Sequence, residues 1–284
     1  MTESGAMVPL SARIEIGRAS VQTVADECTA DILHIKGDAV DPSLGLTGAS
    51  GTDIDLIVRP AHVARLHGAL ERHGWVVYST FRGGSPFGHA QTYHHELWGY
   101  LDVHRFFPGI ETRPDAGFAV LWVDRTTGTF AGLPASVPSL TAQRLIALLN
   151  SARSPRPDVV ERLWADASAE DRTAVTELAD ALDARVALAA ATGDLERFRD
   201  RRSYLLWNVL QTGGPRTVEW RARVRAAPTR RERVQILLRA PQVNVEHLAH
   251  RLGRAPTRWE ITREFFARPA TAVREALHGR GRRS

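Results

Sequence analysis

The sequence predicts an α/β (α+β) fold, a mixed sheet with flanking helices over residues 1–138, followed by an all-helical domain over 139–284. Three observations carry this. Residues 52–58 and 99–106 alternate apolar and polar side chains with the period of a strand. Between them, residues 62–73 place Val63, Leu66 and Leu70 at helical spacing, with Gly74 where a C-terminal cap belongs. Beyond Pro138 the strand signals fade and helix starts take over.

The elements follow in order. Ile14, Ile16, Val21, Val24, Ala25 and Cys28 are spaced for a helix over 13–30, which leads into a strand at Ile32–Ile35. That strand runs into Lys36-Gly37, where a turn into a helix would present backbone N–H groups to an anion. A loop rich in turn formers covers 41–51, and the next strand sets Ile54, Leu56 and Val58 on one face against Asp53, Asp55 and Ile57 on the other. Trp75–Thr80 reads as a third strand, 81–90 as a loop, and Gln91–Leu97 with Gly99–Phe106 as two strands of an antiparallel edge. On the last of these, Asp102, His104 and Phe106 share one face and Leu101, Val103 and Arg105 the other.

In the second half, capping boxes are expected at Asp158/Glu161, Ser168/Asp171, Thr229/Glu232 and Thr257/Glu260. Leu145, Leu148 and Leu149 form one apolar stripe, and Leu178, Leu182 and Val186 another along a single helix.

No stretch approaches the run of about 18 apolar residues that a membrane span needs, and the first residues lack a basic segment leading into an apolar one. The expectation is a cytoplasmic protein. A single cysteine, Cys28, excludes an intramolecular disulfide and reads as a small buried hydrophobe. From Arg216 onward 17 arginines face 6 glutamates, a net +11; as the whole chain carries +5, residues 1–215 carry −6. The arginines alternate with helix formers and read as solvated helix faces, with a polyanion surface as the alternative. Of the 37 basic side chains, Lys36 alone is lysine. A compact ammonium is not imitated by arginine's planar fork, which makes Lys36 a candidate phosphate contact.

Asp53-Ile54-Asp55 is the most informative trio. Residues i and i+2 of a strand project side by side, so two carboxylates meet while Ile54 anchors the strand from behind. Such a pair needs compensation, and a hard divalent cation supplies it. Gly37 at the end of the preceding strand and Asp102 on a later one complete an ordered set. His89, His94, His95 and His104 match no zinc spacing and have no cysteine nearby. His104 shares the face of Asp102 and is a candidate for a contact behind the metal site or with an acceptor, whereas Arg105 points away and reads as structural. Trp75, Trp98 and Trp122 read as packing residues.

This order of motifs resembles the DNA polymerase beta superfamily of nucleotidyltransferases. More narrowly, Ile32-Leu33-His34-Ile35-Lys36-Gly37, Gly51-Thr52-Asp53-Ile54-Asp55-Leu56-Ile57-Val58 and Leu101-Asp102-Val103-His104-Arg105 resemble the uncharacterised family-5 type of bacterial nucleotidyltransferase-like proteins. Asp38 stands where the wider superfamily has serine or a second glycine. The resemblance implies a minimal nucleotidyltransferase domain. Asp53, Asp55 and Asp102 would be its catalytic metal ligands for Mg2+ or Mn2+, and Lys36 and Gly37 would contact the nucleotide. It further implies transfer of a nucleoside monophosphate from ATP or another nucleoside triphosphate to an acceptor hydroxyl, with release of pyrophosphate. The acceptor stays open between a small molecule, a peptide or protein, and an RNA end. The alternatives are a non-catalytic nucleic-acid-binding protein on the same fold and phosphoryl transfer from the same site.

Overall fold

The computed structural model describes residues 8–46, 51–81, 87–213 and 216–239, with 252, 254, 256–260 and 262–263 near the C-terminus. Helix α1 (Leu10–Glu27) buries Ile14, Val21, Val24 and Ala25 on one face. It starts earlier than the apolar spacing suggested and stops at Glu27, because Thr29 turns to φ 53. Cys28 is half-buried beside the core, less enclosed than expected.

Strands β1 (Ile32–Ile35), β2 (Asp53–Val58), β3 (Val76–Ser79), β4 (Ala90–His95) and β5 (Gly99–His104) form one mixed sheet in the order β1-β2-β5-β4-β3. The β2–β5 pair is parallel and every other pair antiparallel. The two strands expected as an antiparallel edge, β4 and β5, pair antiparallel but both lie in the interior, with β3 outside β4 and β5 beside β2; Leu101 and Val103 are buried on one face of β5 and His104 on the other. Helix α2 (Val63–Arg72) crosses between β2 and β3.

The alternation of β2 sorts side chains between two cores. Ile54, Leu56 and Val58 pack with α1, α2 and Trp75, while Ile57 joins Leu33 and Ile35 on the opposite face. Each of these buried aliphatics contributes about 1.5–3 kcal/mol. Helix α1 lies so close to β2 that a Cβ at Gly17 would stand 2.7 Å from Ile54 Cδ1, so any larger residue there makes Ile54 shift.

Two elements carried no readable signal. Helix α3 (Pro114–Val123) buries Phe118 and Leu121, and hairpin β6 (Thr126–Phe130) and β7 (Leu133–Val137) closes through Ala131-Gly132, both at positive φ. That is the backbone of a primed two-residue turn, made without the usual asparagine or aspartate.

The helical half comprises α4 (Leu140–Arg153), α5 (Pro157–Val160), α6 (Ala169–Ala181), α7 (Arg185–Thr192), α8 (Tyr204–Thr212), α9 (Arg216–Ala226) and α10 (Arg230–Arg239). Leu145, Leu148 and Leu149 of α4 are fully buried in the cluster that includes Leu33, Ile35 and Ile57, so α4 packs under the sheet face that bears the aspartates. The stripe expected along one helix spans two: α6 ends before Leu182, Asp183 adopts φ 48, and Val186 belongs to α7. Ser168, Thr229 and Thr257 cap as expected. Asp158 does not, since its carboxylate pairs with Arg156 inside a short helix that continues as a π turn. Among the described residues no helix is long and apolar enough to cross a membrane.

Candidate metal and nucleotide site

Strand pairing decides which carboxylates meet. In the parallel β2–β5 register Asp55 stands beside Asp102, and Asp53 beside Tyr100. Neighbouring strands lie about 4.8 Å apart, whereas residues i and i+2 of one strand are separated by roughly 6.6 Å. The tight group is therefore Asp55, Asp102 and His104, whose ligand atoms lie within 4.8 Å of one another. Asp53 shares the face but stands outside that group, so the expected three-aspartate cluster is drawn instead as two aspartates and a histidine with Asp53 at the rim.

Asp55 is 6 % exposed and His104 1 %. Lys36 Nζ donates to Asp55 Oδ1 at 2.6 Å, and His104 Nε2 lies 2.8 Å from the same oxygen. Burial works to raise the Asp55 pKa, yet the Lys36 charge and the His104 hydrogen bond outweigh it and hold the carboxyl well below the usual range. An ionised carboxylate only accepts, so His104 Nε2 carries the proton it donates. Burial, and then the Lys36 charge, lower the His104 pKa against the pull of Asp55, which keeps the ring neutral. Both donors take Oδ1 and so leave Oδ2 for a cation.

Asp53 is the opposite case. Burial and then the charges of Asp55 and Asp102 raise its pKa, with Lys36 offsetting only in part. Asp102 accepts from Thr92 Oγ1 at 2.6 Å across the β4–β5 pair, which fixes one of its oxygens.

Lys36 itself sits at φ 56, ψ 176, a conformation costly for any side chain but glycine, and Gly37 follows at φ 48. The helix expected after Gly37 is a single 3-10 turn, Gly37–Ala39, too short to sum a helix dipole. What holds the turn is Arg18, fully buried on α1, whose guanidinium donates to the carbonyls of Lys36 (3.0 Å), Ile35 and Asp55 (both 3.4 Å). A Cβ on Gly37 would lie 3.3 Å from Arg18 Nη2. Sequence reading missed Arg18, although an arginine among Ile14, Gly17 and Val21 on one helix face was a visible signal. It missed His89 and Arg153 as well: Arg153 Nη1 lies 3.1 Å from His89 Nε2, and the His89 ring is 5.1 Å from that of His104. Nothing local in the sequence marks that pairing.

His94 and His95 lie apart from this site, against Tyr100 and against Trp75 and Trp98 respectively. Among the described residues Asp55, Asp102 and His104 form the one group able to hold a metal ion. Trp75 is core with Trp98 packed beside it, Trp122 packs against the core on the other face of the sheet, and Arg105 donates to the Gly88 carbonyl, a structural contact.

The donor set fits a hard or borderline divalent cation. Asp55 and Asp102 supply carboxylate oxygen, His104 orients Asp55 through its Nε2–H and does not ligate through that nitrogen, and Asp53 adds a negative charge at the rim that Lys36 offsets only in part.

No family model matches the chain, and no curated protein matches it. Among solved structures it is similar to the antibiotic-resistance factor ANT(2'')-Ia, at 17% identity and a TM-score of 0.38, over 66% of this chain and 91% of that one. It is also similar to the lincosamide antibiotic adenylyltransferase LnuA in its lincomycin-bound form, at 18% identity and a TM-score of 0.34, over 58% of this chain and 94% of that one.

Proposed function

We propose that the chain is a metal-dependent nucleotidyltransferase that moves a nucleoside monophosphate from a nucleoside triphosphate to an acceptor hydroxyl. The observation that carries this is the side-by-side placement of Asp55 and Asp102 on parallel strands, with Asp53 upstream on the same face and Lys36 reaching in from the β1 end. A structural role for this cluster alone is hard to reconcile with the raised pKa of Asp53, since a fold gains nothing from an uncompensated carboxylate beside two others.

When bound there, Mg2+ or Mn2+ supplies charge neutralisation on the attacking and leaving oxygens. The residues supply the rest. Asp55, fixed by Lys36 and His104, presents one oxygen in a set direction. Lys36 would contact the triphosphate. Asp102, anchored by Thr92, would take the proton of the acceptor hydroxyl. The acceptor oxygen bonds to the α-phosphorus, the bond from that phosphorus to the bridging oxygen breaks, and pyrophosphate leaves.

The test follows the label. With α-labelled nucleoside triphosphates and manganese, label should pass to a small-molecule, peptide or RNA acceptor pool, and Asp55→Asn or Asp102→Asn should lower the rate by at least a hundredfold with the melting curve preserved. Transfer of γ-label in place of α-label would replace this reading by phosphoryl transfer. Equal manganese binding by wild type and Asp55→Asn would end it.

A further inference from the structure

Arg153 is the last residue of α4, whose apolar face is locked into the core under the sheet. Its guanidinium is partly buried, and its partners are neutral: Nη1 reaches His89 Nε2 at 3.1 Å, and Nη2 donates to Asn150 Oδ1 at 3.1 Å. Among the described residues it has no ion-pair partner. Burial lowers its pKa while the charges of Asp55 and Asp102 work against that, but neither carboxylate forms an ion pair with it, and a part-buried cation without a paired anion is costly unless a ligand supplies the charge.

Its location says which ligand. His89 carries the guanidinium on one side and packs its ring, tilted by 44°, 5.1 Å from that of His104, and His104 bonds Asp55 at 2.8 Å. One side chain, His89, thus stands between the cation and the metal-binding group. A guanidinium only donates, so in the 3.1 Å contact with Arg153 Nη1 it is His89 Nε2 that accepts. Neutral, it offers a lone pair that fixes Arg153, and Asn150 fixes the other nitrogen one turn back on the same helix. A planar donor fork held in place near carboxylates that could hold a metal matches the oxygens of a phosphate chain.

We infer that Arg153 is a phosphate-binding arm contributed by the helical half, with His89 and Asn150 as its positioning residues. The inference rests on the proposed metal and nucleotide site. It makes α4 part of the nucleotide site, so that the two halves of the chain share one ligand. Lys36 from the sheet and Arg153 from the helices would then both contact the phosphates.

The test uses the full-length chain and two probes, manganese alone and manganese with inorganic tripolyphosphate, each titrated by calorimetry. Arg153→Gln should bind manganese at least as tightly as wild type and tripolyphosphate on the order of ten- to a hundredfold more weakly, the value of a charge-assisted contact. Arg153→Lys should fall between. Unchanged tripolyphosphate affinity in Arg153→Gln, with manganese still bound, overturns the inference and leaves the metal site standing. Equal loss of both probes makes Arg153 structural and also overturns it. If wild type binds neither probe, the site reading falls and the inference with it. If Arg153→Gln does not fold, the ratio of the two affinities in Arg153→Lys decides in the same way.

Discussion

Replacing Lys36 with methionine keeps the length of the side chain and removes the charge that Asp55 depends on. The ammonium lies 2.6 Å from Asp55 Oδ1, with Lys36 23% and Asp55 8% exposed at the side chain. At an effective dielectric constant of about 20 the gross attraction is about 6 kcal/mol, most of which offsets the desolvation of both groups. Breaking a buried pair by removing one partner costs about 3–5 kcal/mol because the other charge is left behind. Here the His104 hydrogen bond still serves Asp55, which places the cost near the lower end, about 3 kcal/mol. For a chain of this size that lowers the melting temperature by roughly 6–12 °C.

Two controls separate charge from backbone. Lys36→Gly loses the same charge but relieves the strained backbone at φ 56, so it should be less destabilised than Lys36→Met by about 1 kcal/mol. A divalent cation can replace the ammonium as the counter-charge of Asp55, so excess manganese should raise the melting temperature of Lys36→Met more than that of wild type. Scanning calorimetry in chelator and in manganese measures all three proteins. Melting of Lys36→Met within a degree or so of wild type in chelator would refute the ion pair as a stabilising element. Equal manganese shifts in the two would refute the sharing of Asp55 between lysine and metal.

Asp53→Asn should stabilise the metal-free protein while weakening manganese binding. A carboxyl whose folded pKa is raised favours the folded state while protonated and loses that contribution as pH rises through the unfolded value of 3.8 toward the folded one, so the gain should be present at pH 7 and vanish below about pH 4. With the neighbouring carboxylates roughly 6.6 Å or more away and Asp53 half-exposed, it should stay under about 1 kcal/mol in urea titrations; a gain that is the same at both pH values would contradict the charge argument. A chain ending after Pro228 should bind manganese and nucleotide as the full chain does, since it keeps Ala222 packed on Leu206 and Val209 and loses only later basic residues. Loss of nucleotide affinity in that chain, still folded, would assign the C-terminal arginines to the phosphates.

What was legible in the sequence was what repeats locally. The alternation of β2 announced its two faces, and they are the two faces found, because a period of two leaves no other way to bury Ile54 and Leu56 together. The stripe Leu145, Leu148 and Leu149 was legible for the same reason. Pairing was not. Nothing in the residues around Asp102 says that β5 lies inside the sheet beside β2, since its neighbour is chosen by the crossover through α2 and not by its own pattern. The break between α6 and α7 rests on one aspartate at positive φ, a position the helical periodicity runs straight across. Arg153 and His89 are 64 residues apart, and their meeting depends on how α4 docks.

The difference between the two aspartates of β2 follows from those same unlegible contacts. As a sequence, Asp53-Ile54-Asp55 is symmetric, and nothing in it ranks one carboxylate above the other. The fold ranks them: Asp55 faces the β1 end, where Arg18 holds the strained Lys36 turn within reach, and the β5 neighbour places His104 on its other side. Asp53 lies one pleat further out, faces Tyr100, and receives no comparable donor. One carboxylate is thereby kept ionised and aimed before any ligand arrives, while the other carries a charge that only a cation relieves. If the Arg18 clamp is what creates this ranking, Arg18 acts on the metal site through the backbone of Lys36 and not by touching a ligand.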